Sequence, residues 1–92
     1  MEMVYKQVMI MDEKDNVAVA LHPIGELVRV TLPSGRVILS AQAIPQAHKI
    51  AIQPIAKGEA VIRYGEKIGY ATKDIAQGEL VHVHNLDAVE GM

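Results

Sequence analysis

The sequence predicts a small all-β protein, and three observations lead to this prediction. Its apolar residues are mostly β-branched or small: the 92 residues include 11 Val, 10 Ile and 11 Ala but only 6 Leu. Val and Ile pack well on a pleated surface and lose rotamer freedom in helices. Apolar and polar side chains alternate in several short segments, and no segment keeps a helical period beyond about two turns. Gly, Pro and Asp separate most of these segments, which favours short strands joined by many turns.

Length and composition leave room for one domain over residues 1–92 and exclude several classes of protein. A net charge of -2 and the lack of Phe and Trp argue against a nucleic-acid binder. No Cys is present, which excludes disulfides and thiolate metal ligands. No apolar run approaches the ~20 residues of a membrane span, and the first residues lack a signal-peptide pattern. We therefore expect a cytoplasmic protein with neither a nucleic-acid nor a membrane partner.

The clearest predicted element is a hairpin. Val28-Arg29-Val30-Thr31-Leu32 alternates with a period of two, Pro33-Ser34-Gly35 breaks the pattern, and Arg36-Val37-Ile38-Leu39-Ser40 resumes it. A three-residue loop that ends in Gly suits a hairpin whose last position has φ > 0. Residues 40–48 allow one helical turn at most, because Pro45 interrupts them. The other strands are predicted at residues 3–11, 17–21, 49–53, 60–63, 67–71 and 80–84.

A short sequence motif recurs along the chain. Ile55-Ala56-Lys57-Gly58-Glu59-Ala60-Val61-Ile62 returns twenty positions later as Ile75-Ala76-Gln77-Gly78-Glu79-Leu80-Val81-His82, with five of eight positions identical. The end of this motif is repeated at Gly25-Glu26-Leu27-Val28. We interpret the copies as three corners of one compact β-fold, each a turn closed by Gly and followed by a strand. The alternative is that Gly-Glu-x-Val is simply a common motif where a turn leads into a strand.

His82-Val83-His84-Asn85 is the main candidate for chemistry. If this segment is a strand, His82 and His84 share one face, about 6.5–7 Å apart, while the valines face the core. Two imidazoles at this spacing can converge on one metal ion or one anionic substrate. The alternative is a pair of solvated histidines on an exposed face.

His48-Lys49 lies where a loop meets a predicted strand and would suit a carboxylate. The alternative is two polar residues where the chain reaches the surface. His22, which precedes Pro23, is interpreted as structural or solvated. No Ser-His-Asp triad and no pair of catalytic carboxylates can be identified.

Four motifs resemble one family. They are Asp15-Asn16-Val17-Ala18-Val19-Ala20-Leu21, His48-Lys49-Ile50-Ala51, Tyr64-Gly65-Glu66-Lys67-Ile68-Gly69-Tyr70-Ala71 and Val81-His82-Val83-His84-Asn85. In this order they resemble the SAF domain of the altronate and galactarate dehydratases over about residues 15–86. The resemblance implies a SAF-type β-clip with short strands and bent hairpins. Because Ile24-Gly25-Glu26 is shorter than Ile75-Ala76-Gln77-Gly78-Glu79, we expect the first corner to be trimmed or reshaped.

The resemblance also implies a function. It predicts the small subunit of a heteromeric lyase that acts on a hydroxy or sugar acid, inactive without a large catalytic subunit. It suggests a divalent metal, iron or manganese, as cofactor. The candidate catalytic residues are His48, His82 and His84, with Lys49 and Asn85 binding substrate and His82 and His84 as candidate metal ligands. The alternatives are the small subunit of a (2R)-sulfolactate sulfo-lyase, and a non-catalytic module that binds carbohydrate or a protein partner.

Overall fold

A computed structural model describes residues 3–4 and 7–88, and the side chains of residues 7–88. These residues contain ten short strands and no helix, so none of them forms an apolar helix that could cross a membrane. The all-β prediction is confirmed. The strands are β1 Met3–Val4, β2 Val8–Ile10, β3 Val17–Ala20, β4 Arg29–Thr31, β5 Val37–Leu39, β6 Lys49–Ala51, β7 Ala60–Arg63, β8 Glu66–Ala71, β9 Leu80–Val81 and β10 Leu86–Ala88.

A central antiparallel sheet has the strand order β1-β2-β3-β6-β9. In its register Ala18 lies opposite Ile50 and Ile50 opposite Leu80, so these three side chains share one face. Their neighbours point to the other face. The remaining strands form two smaller antiparallel sheets, the β4–β5 hairpin and a sheet of order β10-β8-β7.

The two faces of the central sheet bury separate apolar cores. The first core lies on the Ile50 face and is completed by the β4–β5 hairpin; it consists of Val8, Ile10, Ala18, Ala20, Ile24, Val30, Leu32, Ile38, Ile44, Ile50 and Ile52. The second core lies on the opposite face and is completed by β7 and β8; it consists of Val17, Ala51, Ile55, Val61, Ala71, Ile75 and Val81. The residues are mostly β-branched, as a pleated surface favours.

Asn16 connects the central sheet to β7. Its Nδ2 donates to the Ala60 carbonyl at 2.9 Å, and its Oδ1 accepts from the Ile62 amide at 2.7 Å. The Asn16 amide itself donates to the Ile62 carbonyl at 3.2 Å. Because Asn16 immediately precedes β3, these bonds place β7 beside the central sheet.

Within residues 7–88 this kind of corner occurs four times, not three. The four are residues 24–28, 44–48, 55–59 and 75–79, and each begins with a buried isoleucine. Ile24 pairs with Ile44, and Ile55 pairs with Ile75. The fourth residue of each corner has a left-handed backbone, with φ of 59, 68, 88 and 91° at Leu27, Ala47, Gly58 and Gly78.

This geometry corrects two sequence predictions. The first corner is equal in length to the others, because Leu27 rather than Gly25 occupies the left-handed position. Matching Gly25 to Gly78 had shifted that repeat, so the prediction of a trimmed first corner was wrong. Residues 44–48, where one helical turn was allowed, form a fourth corner instead. The β4–β5 hairpin is confirmed, with Gly35 at φ 91°.

Candidate functional site

A turn at residues 82–85 follows β9 directly, so the predicted strand over residues 80–84 is wrong beyond Val81. The Asn85 side chain stabilises the turn. Its Oδ1 accepts from the His82 amide at 2.9 Å, and its Nδ2 donates to the Leu80 carbonyl at 2.8 Å. Such local side-chain bonds compete with strand pairing. His82 and His84 therefore do not share a strand face, and Val83 is 81% exposed rather than packed in the core.

His82 instead meets His48. Lys49 pairs with Val81 in antiparallel register, and continuing this register by one residue places His48 opposite His82. The two ring centroids are 4.7 Å apart, with an interplanar angle of 54°. The sequence separation is large, but the ends of β6 and β9 bring the two imidazoles into contact.

A hydrogen bond defines the tautomer of His48. Its Nδ1 lies 3.0 Å from the Gln46 carbonyl oxygen, which can only accept a hydrogen bond. Nδ1 therefore carries the proton, and in the neutral ring Nε2 keeps a free lone pair. A ring held in this way can accept a proton from a substrate or act as a ligand through Nε2.

The pKa of His82 is lowered from its ordinary value of 6.5. Loss of solvent around the ring is the largest cause, followed by the charge of His48, then that of Lys49, then that of His84. All four effects disfavour the protonated form of this exposed ring. His82 is therefore mainly neutral at pH 7 and is available as a base.

Lys49 lies close to the two histidines in sequence but on the other face of the central sheet. It is opposite Val81 and Val19, whose face is that of the second core. Burial lowers the pKa of Lys49, and the nearby charge of Arg63 lowers it further. Arg63, at the end of β7, was not among the sequence candidates, because only the three-dimensional fold brings its charge near Lys49.

The other candidates occupy different positions. His84 is exposed in the turn, and its charge reaches His82. Asn85 is 3% exposed, with both amide atoms bonded to the backbone, so its observed contacts shape the turn. His22 lies apart, in an exposed bend, with Nδ1 3.2 Å from the Pro23 oxygen.

The side chains around His48 and His82 do not by themselves form a ligand set for a resident iron or manganese ion. Among the described residues, no group of three or more His, Asp or Glu side chains is placed to hold a metal. His48 and His82 offer two imidazoles, and the charge that acts beside them comes from Lys49 rather than from a carboxylate. A metal-ligand role for His82 and His84 stays a prediction.

A cleft of about 250 Å³ lies elsewhere, between the tip of the β4–β5 hairpin and residues 52–53. Its charged lining residues are Glu13, Asp15 and Arg36, and Arg36 donates through Nη2 to the Ile52 carbonyl. The histidines do not line this cleft.

The fold and the site together define a small β-domain whose central sheet ends in two imidazoles in contact. The family comparison agrees: the model of the altronate/galactarate dehydratase SAF domain matches residues 6–89. The chain belongs to this family of SAF domains, and the predicted resemblance is confirmed.

Individual relatives are enzymes or enzyme subunits. Altronate dehydratase of Escherichia coli (strain K12) is 49% identical over 71 residues, which are 77% of this chain and 14% of that protein. The (2R)-sulfolactate sulfo-lyase subunit alpha of Chromohalobacter salexigens is 52% identical over 44 residues, 48% of this chain and 47% of that protein. The subunit alpha of Paracoccus pantotrophus is 44% identical over 48 residues, 51% of this chain and 72% of that protein. The chain thus spans about 14% of the altronate dehydratase and larger shares of the two alpha subunits.

Proposed function

We propose that the chain is the small subunit of a heteromeric lyase that removes water from a hydroxy or sugar acid, together with a large catalytic subunit. The observation that carries the proposal is the contact between the His48 and His82 rings, 4.7 Å apart at one end of the central sheet. Membership of the dehydratase SAF family supports it, as do relatives named as subunits of a lyase.

The chemistry suits this pair of rings. Elimination from a hydroxy acid removes the proton next to the carboxylate, and hydroxide leaves from the neighbouring carbon. His82, whose pKa is lowered, accepts that proton as a general base, and His48, whose Nε2 keeps a lone pair, contacts the substrate beside it. His84, exposed two residues further along the turn, returns a proton to the leaving hydroxide.

The other predicted residues assist these histidines. Lys49 holds an acidic group of the substrate through its charge. Asn85 orients His82 by accepting a hydrogen bond from its amide at 2.9 Å. Asn85 is therefore a positioning residue rather than a direct substrate ligand in this proposal.

Reconstitution with a large subunit tests the proposal. We expect no turnover of altronate or galactarate by the chain alone, with iron or manganese supplied, and turnover by the complex. Turnover by the chain alone would contradict the division into two subunits. Normal turnover by complexes carrying His48→Ala or His82→Ala would instead favour a non-catalytic SAF module.

A second candidate is the alpha subunit of a (2R)-sulfolactate sulfo-lyase. The observation that favours it is length, because the matched segment makes up 72% of the Paracoccus alpha subunit. The same base would act, with sulfite rather than hydroxide as leaving group. Turnover of (2R)-sulfolactate but not of altronate or galactarate by the complex would select this candidate.

A further inference from the structure

The cleft beside the tip of the β4–β5 hairpin opens onto the first core. Its apolar wall consists of three core side chains, Ile10, Leu32 and Ile52, which are 8%, 3% and 8% exposed. A ligand can bury a short hydrocarbon group against such a wall. The cleft volume of about 250 Å³ lies below the roughly 300–1,000 Å³ of pockets for drug-sized ligands. The cleft therefore suits a ligand of the size of an amino acid.

The charged side chains of the cleft come from two different segments. Glu13 and Asp15 belong to the connection between β2 and β3, and Arg36 belongs to the β4–β5 hairpin. All three line one small cleft, yet within residues 7–88 neither carboxylate forms an ion pair with Arg36. Opposite charges that face one cleft without touching leave space for a ligand that carries both charges.

Arg36 is held on its side of the cleft. Its Nη2 donates to the Ile52 carbonyl, and its own carbonyl accepts from the Leu32 amide at 2.8 Å. A guanidinium has five N–H donors in a planar fork, so the bond to Ile52 leaves donors for a carboxylate. Ser34 lies on the same side, and its Oγ accepts from the Arg36 amide at 3.3 Å, which leaves the hydroxyl proton to donate. This side of the cleft is equipped for an anionic group.

The β2–β3 connection makes the other side of the cleft negative. Asp15 is 5% exposed, and its Oδ2 accepts from the amides of Met11 and Asp12 at 3.2 and 3.1 Å. Its Oδ1 accepts from the Gly65 amide at 2.8 Å. These bonds fix the carboxylate without a cation, so its negative charge acts on the cleft. Glu13 is exposed two residues earlier, and its carboxylate can turn to a cationic group of a ligand.

We propose that this cleft binds a small aliphatic α-amino acid, such as valine or leucine. The carboxylate of the amino acid binds Arg36, its ammonium group binds Glu13, and its side chain packs against the apolar wall. A ligand with one kind of charge satisfies only one side of the cleft. The cleft includes Ile52, which follows β6, whereas His48 precedes β6. The amino acid therefore binds apart from the histidines, and the inference does not rest on the proposed function.

NMR titration of the isotope-labelled chain with four probes tests the inference. Valine carries all three groups, valinamide lacks the carboxylate, α-hydroxyisovalerate has a hydroxyl in place of the ammonium group, and glycine lacks the aliphatic side chain. We expect valine to shift the amide resonances of Ser34, Gly35 and Gln53. Each of the other probes should bind about tenfold more weakly, the loss expected for one charge-assisted hydrogen bond or one short hydrocarbon group.

Two substitutions separate the two charges of the ligand. Arg36→Gln should weaken valine and α-hydroxyisovalerate about tenfold and leave valinamide within about twofold. Glu13→Gln should weaken valine and valinamide about tenfold and leave α-hydroxyisovalerate within about twofold. Arg29→Gln is the matched control, because Arg29 is exposed on the same hairpin but does not line the cleft. This control should change no affinity by more than about twofold.

Three outcomes would overturn the inference: no shift of the cleft resonances by valine, equal affinities for valine and α-hydroxyisovalerate, or a loss in Arg29→Gln as large as that in Arg36→Gln. Glutamine at position 36 keeps an N–H that can donate to the Ile52 carbonyl, so we expect Arg36→Gln to fold with a near-normal urea midpoint. If that variant does not fold, Glu13→Gln decides the question, because Glu13 is exposed and its substitution spares the core. Unchanged valine affinity in Glu13→Gln would then overturn the inference.

Discussion

Alanine substitution at Gly58 and Gly78 should separate backbone strain from steric exclusion at two equivalent corners. Both glycines have the same left-handed conformation, with φ of 88 and 91°. A Cβ at Gly58 would meet nothing within 4 Å, whereas one at Gly78 would lie 2.1 Å from the Leu39 carbonyl oxygen and 3.0 Å from the Ala41 nitrogen. The difference arises because the corner at 75–79 packs directly against the chain that follows β5.

The magnitudes follow from these contacts. Strain of about 1–2 kcal/mol, partly offset by a less flexible unfolded chain, leaves a cost of about 1 kcal/mol for Gly58→Ala. Gly78→Ala adds overpacking of about 1–3 kcal/mol and displaces the bond from the Ala41 amide to the Gly78 carbonyl, worth about 1 kcal/mol. The total of about 3–5 kcal/mol is a large part of the roughly 5–15 kcal/mol that stabilises a typical domain.

Urea unfolding followed by far-ultraviolet circular dichroism measures both variants. We expect a small decrease of the midpoint for Gly58→Ala and a large one, or failure to fold, for Gly78→Ala. Equal urea midpoints would refute the reasoning, because the methyl group added at Gly78 would then cost no more free energy than the one added at Gly58.

Further predictions concern the histidines and their turn. Asn85→Ala should lower the free energy of unfolding by about 2–3 kcal/mol, since it removes two buried hydrogen bonds; an unchanged urea midpoint would contradict this role. NMR titration should show His82 losing its proton below pH 6.5, and His48→Gln should raise the pKa of His82 by removing a neighbouring charge. Folded His82 binds its proton more weakly than the unfolded chain does. Its contribution to the free energy of unfolding should therefore rise with pH through the window just below 6.5 and be lost on acidification. A contribution of opposite sign, measured as the difference from His82→Gln, would contradict the shift. His82→Ala and His84→Ala should each change stability by no more than about 0.5 kcal/mol, while turnover of the reconstituted complex falls on the order of 100-fold; near-normal rates would make both residues surface histidines.

Local patterns in the sequence predict most of the strands. Alternation located β4 and β5 on either side of Gly35, and Val and Ile marked the other strands to within a few residues. Two corners were recognised because Gly58 and Gly78 occupy the left-handed position. The equivalent positions in the other two corners are Leu27 and Ala47. Neither residue type favours a left-handed backbone, so the sequence does not predict one there. One corner was therefore misaligned and the other was not recognised.

The site depends on contacts that local patterns do not encode. Alternation predicted a strand through His84, but hydrogen bonds from Asn85 to residues 80 and 82 hold the chain in a turn after Val81. The contact of His82 with His48 follows from the pairing of β6 with β9, and the position of Arg63 follows from bonds made by Asn16. Residue type and spacing singled out the histidines and the family resemblance implied their roles, whereas their geometry required the fold.

The order of strands in the central sheet has a consequence for how the protein folds. β6 pairs with β3 on one side and with β9 on the other, so this strand finds its partners about thirty residues away in both directions. Pairings between distant segments close large loops and make folding slow, on the millisecond-to-second scale typical of β-proteins. During synthesis the imidazole pair forms only after β9 has left the ribosome, so a chain truncated before residue 80 has neither the complete central sheet nor the site.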